Sequence, residues 1–286
     1  MSKKKTLAQS MKNYRNHPGS LIVRLLVILG AILTFTILFF LIVYILVNGI
    51  PYLRPSLFSL HYTSENQSLM PALVNTVIMT LMALLIAVPL GIFSAVYLVE
   101  YAKRGNRLVD IIRLTTETLS GIPSIIYGLF GMLFFVTQLD WGFSLLAGAF
   151  TLAIMILPLV MRQTEESLKA VPDSYREASF GLGAGKLRTV FRIVLPSAMP
   201  GILAGIILAI GRIVGETAAL IYTAGTVAKI PGNVMGSGRT LAVHMYLLSS
   251  EGLYMDQAYA TAVVLLVLVV GINTLSGAIA KKLTKA

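Results

Sequence analysis

The chain is 286 residues long; 56% of them are hydrophobic, only 12% are charged, and the mean hydropathy is +0.82. A water-soluble core of this length cannot hold so much apolar surface and still leave polar residues to cover it, and disorder needs the opposite balance, so both a soluble globular enzyme and an unfolded chain are excluded. The net charge of +11 reads as the basic face of a membrane protein rather than a nucleic-acid surface. The absence of cysteine excludes disulfides, thiol nucleophiles and Cys-ligated metals, and three scattered histidines predict no metal site.

A helix needs roughly 20 mostly apolar residues to cross a bilayer. Stretches free of Asp, Glu, Lys and Arg predict an all-α chain with six spans. The first is Leu25–Leu53, too long for a signal peptide and without a small-residue cleavage site. The second is Leu69–Val99, interrupted by Pro89. Thr118–Leu139 and Trp141–Met161 are the third and fourth. Ile193–Gly211 is the fifth; its apolar run continues past Arg212 and Glu216 to about Gly225. Gln257–Ala280 is the sixth. In the third, Pro123 bends the helix and Tyr127 offers a hydroxyl; packing around a kink is the simpler reading there, with Ser124 and Tyr127 as secondary pathway candidates. Residues 1–20 are expected to be a flexible basic tail and 21–50 the first span.

Lys and Arg fall unevenly between these spans. Nineteen lie in the N-terminal segment, the second–third loop, the fourth–fifth loop and the C-terminal end; only Arg54, Lys229 and Arg239 lie in the other loops. The positive-inside rule then predicts a multi-pass protein of the cell membrane with both termini cytoplasmic. The outer loop Thr226–Asp256, rich in Gly and Ser, either dips into the membrane or sits on it.

The longest cytoplasmic loop, Arg162–Leu195, carries a capping-box pattern at Ser174-Tyr-Arg-Glu177, so a helix is expected to start near Ser174. Gly181, Gly183 and Gly185 interrupt it. A second short helix sets Leu187, Val190, Phe191 and Val194 on one face, and Pro196 is expected to end it. On pattern alone this is an interfacial amphipathic helix. Gly181-Leu-Gly-Ala-Gly-Lys186 is not a P-loop, because Phe180 stands where the first Gly belongs and Leu187 where Ser or Thr belongs. Energy must therefore come from a partner or an ion gradient.

Arg212 and Glu216 lie four apart, so a continuous helix sets them on one face with Gly201, Gly205 and Ala209, within roughly 80°. A charge inside a span costs at least a few kcal/mol unless it is paired or used. Two readings stand: a self-neutralising ion pair that locks helices, or a pathway site where the Arg212 fork meets an oxyanion. The Gly201/Gly205 and Gly211/Gly215 pairs fit close helix packing.

The loop also matches a known pattern. Glu177-Ala178-Ser179, Gly183 and Ile193-Val-Leu195-Pro196 resemble the Glu-Ala-Ala loop of ABC importer permeases at the same spacing, with Ser179 in place of the second Ala. Within that group the chain resembles the phosphate permeases of PstA type. Gly121-Ile-Pro-Ser-Ile-Ile-Tyr-Gly-Leu-Phe-Gly131 is similar to their Pro-Ser-x-x-Tyr-Gly-Leu-Phe-Gly segment, and Arg212-Ile-Val-Gly-Glu-Thr-Ala218 to their Arg-x-x-Gly-Glu-Thr-Ala segment.

The resemblance implies a type I ABC importer (MetI-like) permease core over 69–283, with a coupling loop at 162–196. It implies a transport subunit that is not itself an enzyme and binds no cofactor, ATP and magnesium belonging to a separate ATPase. The implied partners are a PstC-type second permease, a PstB-type ATPase dimer, a PstS-type extracytoplasmic phosphate-binding protein and membrane lipid, with no nucleic acid. Glu177, Ala178, Ser179, Gly183, Ile193, Leu195 and Pro196 would dock the ATPase; Arg212, Glu216, Thr217, Ser124 and Tyr127 would line the path. Permeases for sulfate or molybdate, an ion-coupled secondary transporter using Glu216 as proton carrier, and a non-transporting scaffold or sensor are the alternatives.

Overall fold

A computed structural model describes residues 18–103, 105–250 and 252–285. The expected flexible tail lies outside these up to residue 17. The regular structure of the described residues is all helix, with no strand. Among the described residues five helices are long and apolar enough to cross a membrane, and a pair of helices bent by 102° brings the number to six where it is counted as one span.

Helix α1 (Pro18–Gly49) is apolar all round and exposed along most of its length. A helix with no polar face must be covered by lipid or by another chain. Near its end it packs against the rest, where the Tyr44 hydroxyl meets that of Tyr259 at 3.3 Å. Short 3-10 turns (Ile50–Tyr52 and Pro55–Phe58) lead to α2 (Met70–Val96), which runs unbroken through Pro89 and closes in a π turn (Tyr97–Tyr101).

Helix α3 (Arg107–Ser120) is amphipathic, and Asn106 caps it by accepting from Leu108 N at 3.0 Å. Here the structure corrects the expected third span. Thr118–Leu139 is not one kinked helix: α3 ends at Ser120, and α4 (Ser124–Gly131), continued by a π turn to Gln138, leaves at 102°. Pro123 disfavours helical backbone at the residue before it, and the chain turns over Gly121–Pro123.

Helix α5 (Leu145–Lys169) begins on a Ser144 cap that accepts from Ala147 N at 3.2 Å, and it is the centre of the bundle. Leu152, Met155 and Ile156 on it are fully buried against Met79, Ala83 and Ala87 of α2. Lipid offers no hydrophobic drive between helices, so close packing of small residues carries the association. A Cβ at Gly91 would stand 2.7 Å from Val160 Cγ1, and one at Gly205 would stand 2.5 Å from Gln163 Cβ.

The long loop between the fourth and fifth spans folds as α6 (Asp173–Gly181) and α7 (Lys186–Thr189). The expected capping box does not form: α6 starts at Asp173 behind Pro172, with no side-chain cap. Nor does Pro196 end a helix. From α7 the chain continues through a π turn (Val190–Val194) straight into α8 (Leu195–Val214). Pro196 has no N–H to give, and the wider turn just before it absorbs the change of register. Helix α9 (Ala218–Ile221), α10 (Leu241–Ser250) and α11 (Met255–Lys285) complete the chain. Helix α10 lies inside the loop expected to be the least hydrophobic, and its Leu241, Ala242 and Val243 are buried.

Candidate transport site and coupling hairpin

Helices α6 and α7 form a hairpin whose inner side is closed and whose tip is apolar. Gly183 sits at φ +80°, where a residue with a Cβ is strained. Its N–H donates to Phe180 O at 2.9 Å, and Ala184 N donates to Ser179 O at 3.1 Å. The buried hydroxyls of Ser179 and Thr189 meet at 2.8 Å, so the departure from the Glu-Ala-Ala pattern supplies the bond that closes the hairpin. Val190 and Val194 pack inward, while Leu182 is 90% exposed and Leu187 66%. Tyr175, Phe180 and Phe191 are also exposed. Of the sequence-predicted docking residues, Glu177, Ala178, Gly183 and Pro196 are exposed and Ile193 and Leu195 half-buried; Ser179 faces inward.

Arg176 anchors this hairpin. Its Nε and Nη2 both donate to Glu100 Oε1 at the end of α2, at 3.1 and 2.8 Å. The same guanidinium donates to Val171 O (2.8 Å), Leu168 O (3.0 Å) and Asp173 Oδ1 (3.1 Å). Beside it, Lys186 Nζ stands 5.1 Å over the Tyr101 ring. Arg113 of α3 pairs with Glu165 of α5 at 2.8 Å, and Lys169 reaches the same oxygen at 2.7 Å. Sequence reasoning missed Glu100 and read Arg176 only as loop charge. An acid closing a long apolar run was the available signal.

The two segments that carried the resemblance lie against each other. A Cβ at Gly128 would stand 2.7 Å from Ala219 Cα and 3.3 Å from Ala218 O. Tyr127 is buried, and its hydroxyl donates to Leu119 O at 2.7 Å, across the turn at Gly121–Pro123. Ser124 is half-buried in the first turn of α4.

The continuous helix expected to carry both Arg212 and Glu216 does not form. Helix α8 ends at Val214, Gly215 caps it, and Glu216 lies beyond, outside the helix. Glu216 is buried, and its Oε1 accepts from Ala219 N at 3.1 Å at the start of α9. The Arg212 guanidinium, half-buried one turn from the helix end, forms no ion pair among the described residues. Thr217 Oγ1 lies 3.4 Å from Gly215 O. The small-residue stripe faces α5: Gly201 meets Ser167, and Gly205 meets Gln163. Gly211 has open space beside it, so its pairing with Gly215 packs against nothing among the described residues. Among the described residues no three His, Asp or Glu side chains gather where they could hold a metal.

A helical membrane core, a hairpin with an apolar tip and an arginine in a span without an ion pair among the described residues define the class: the membrane permease subunit of an ABC importer. A family profile described as "Binding-protein-dependent transport system inner membrane component" matches residues 87–285, and the chain belongs to that family, within its PstA-type group. The chain is 36% identical to a probable ABC transporter permease, YqgI, of Bacillus subtilis, over 74% of this chain and 77% of that protein. It is 39% identical to the phosphate transport system permease PstA 1 of Mycobacterium tuberculosis, over 71% of this chain and 67% of that one. Among solved structures, a bacterial alginate ABC transporter aligns with TM-score 0.69 at 14% identity, covering 96% of this chain and 98% of that one. The inward-facing MetNI methionine transporter aligns with TM-score 0.57 at 20% identity, covering 84% and 96%. These two establish a shared fold. The importer architecture combines such a permease with an ATPase and a binding protein.

Proposed function

We propose that this permease carries inorganic phosphate into the cell by alternating access. The observation that carries the reading is Arg212: a half-buried guanidinium in a span, without an ion pair among the described residues, inside the segment shared with phosphate permeases. A planar fork of donors suits a tetrahedral oxyanion, and a positive charge offsets the cost of bringing an anion between the helices. Thr217 and Ser124 line the same region, Tyr127 staples the turn beside it, and Glu216 holds the backbone that turns into α9.

The partners are a PstC-type permease, a PstB-type ATPase dimer seated on the hairpin and a PstS-type binding protein on the opposite face. The Lys and Arg distribution supports a cytoplasmic placement of both termini. ATP-driven closure of the ATPase pulls the hairpin, Arg176 passes the motion to α2 and α5, and the path opens outward. The test is uptake of labelled phosphate by the complex in liposomes, with ATP inside, loaded binding protein outside, and sulfate and molybdate as competitors. ATP-dependent uptake that excess sulfate leaves unchanged is expected. Stronger competition by sulfate or molybdate would overturn the substrate, and uptake without the ATPase would overturn the mechanism.

A further inference from the structure

At the end of the bundle opposite the hairpin, three segments distant in sequence enclose a group of polar side chains. Tyr62 and Gln67 come from the stretch before α2, Asn75 from the first turns of α2, and Arg239, Thr240 and His244 from the entry into α10. Arg239 is 7% exposed and His244 0%. Backbone bonds fix the frame: Asn75 Nδ2 donates to Arg239 O at 3.1 Å and Lys229 O at 2.9 Å, and Leu241 N donates to Thr76 Oγ1 at 2.8 Å. The Arg239 guanidinium lies 4.8 Å from the centre of the Tyr62 ring, and the His244 ring meets that same ring edge-on at 6.3 Å.

What this group lacks is negative charge. Nε and Nη2 of Arg239, Oγ1 of Thr240 and Oδ1 of Asn75 are buried without a hydrogen-bond partner, and the buried His244 ring has the Gln67 backbone as a polar neighbour. The ion pairs of the described residues engage Glu100, Glu165, Glu166 and Asp173, all at the hairpin end, and none engages Arg239. Tyr62 gives its hydroxyl to Gln67 Oε1 at 2.7 Å, so Arg239 gains only the ring face. That face offsets part of the cost of burying a guanidinium, but a buried cation without a counter-charge remains costly. Water would satisfy the donors and leave the charge uncompensated. An anion does both.

We propose that Arg239, with Thr240 and His244, binds a small inorganic anion, a phosphate-class oxyanion or a halide. The inference rests on this cluster alone and not on the identity of the transported substrate. The test is the melting temperature of the purified permease–ATPase complex without binding protein. It is exchanged into gluconate and titrated with chloride or phosphate at constant ionic strength, in an Arg212→Ala background that removes the path's own guanidinium. A saturable rise of several degrees that Arg239→Gln abolishes is expected. Response to phosphate alone assigns an oxyanion site, and response to chloride alone a halide site. A flat melting temperature in both anions, or a saturable rise retained in Arg239→Gln, overturns the proposal. Should Arg239→Gln fail to assemble, Thr240→Val decides: a weaker half-saturation supports the site, and an unchanged one overturns it.

Discussion

Arg176 and Glu100 stand 76 positions apart, and two guanidinium nitrogens converge on one carboxylate oxygen. The pair is mostly shielded from solvent, with side chains 15% and 8% exposed. Through Val171 O and Leu168 O the same guanidinium also holds the end of α5. The hairpin is therefore tied to the two helices that form the bundle's centre, and a force applied at its tip reaches both.

Removing that tie should uncouple transport. Arg176→Ala leaves Glu100 largely buried and unpaired, a loss on the order of 3 kcal/mol in stability. Arg176→Lys keeps the charge but not the fork that reaches a carboxylate and two carbonyls together. The expected phenotype of the Lys variant is a complex that assembles and hydrolyses ATP without stimulation by loaded binding protein. A double-mutant cycle with Glu100→Gln, read by thermal unfolding, should return a coupling energy above about 1 kcal/mol.

Tyr127 is expected to act as a staple and not as a ligand. Its hydroxyl is spent on Leu119 O, which also accepts from Ile122 N at 3.1 Å. Tyr127→Phe should therefore cost only about 1 kcal/mol and leave the KM for uptake unchanged. A KM raised tenfold at normal stability would return Tyr127 to the path.

The spans were legible because a charge-free run long enough to cross a bilayer has few alternatives. The breaks were not. Pro89, Pro158 and Pro200 lie in unbroken helices, whereas Pro123 follows a 102° turn, so proline alone does not separate the cases. Arg212 and Glu216 share a face only if the helix continues, and its end at Val214 is set by Gly215 and by the capping of α9 through Glu216. The hairpin was legible from its spacing, but Arg176–Glu100 and Arg239–Tyr62 join residues that no periodicity relates.

Gly128 should not tolerate even alanine. The neighbours of an added Cβ, Ala219 Cα at 2.7 Å and Ala219 O at 3.1 Å, are backbone atoms that cannot rotate away. Overpacking of this kind costs about 1–3 kcal/mol, and here it separates the two segments at the candidate path. Gly128→Ala should lower both the melting temperature and uptake. Gly211→Ala is the control: with nothing within 4 Å, it should leave the fold as stable as wild type or slightly more so.

Arg212→Ala should remove uptake without removing the protein. The guanidinium supports no ion pair among the described residues, so its loss leaves no partner stranded. A charge-assisted bond to an oxyanion is worth about 1.5–3 kcal/mol, which translates to roughly a 10- to 100-fold loss in uptake. Copurification of the ATPase should be unchanged. Wild-type uptake in this variant would remove Arg212 from the path.

The hairpin tip separates docking from folding. Leu182 is 90% exposed and adds nothing to the bundle, so Leu182→Glu should leave the stability of the isolated permease within about 0.5 kcal/mol of wild type. Its apolar side chain is nonetheless what a groove on the ATPase would bury, and the variant should lose ATPase in a pull-down. Gly183 works differently. It has open space on every side, but its φ of +80° forces a β-branched residue into strain of about 1–2 kcal/mol. Gly183→Val should therefore loosen the Ser179–Thr189 closure and increase amide exchange across 173–189, where Leu182→Glu does not. Both variants should fail to retain the ATPase, one by chemistry at the surface and the other by the shape of the turn. An unchanged pull-down with both would move the docking site away from this hairpin.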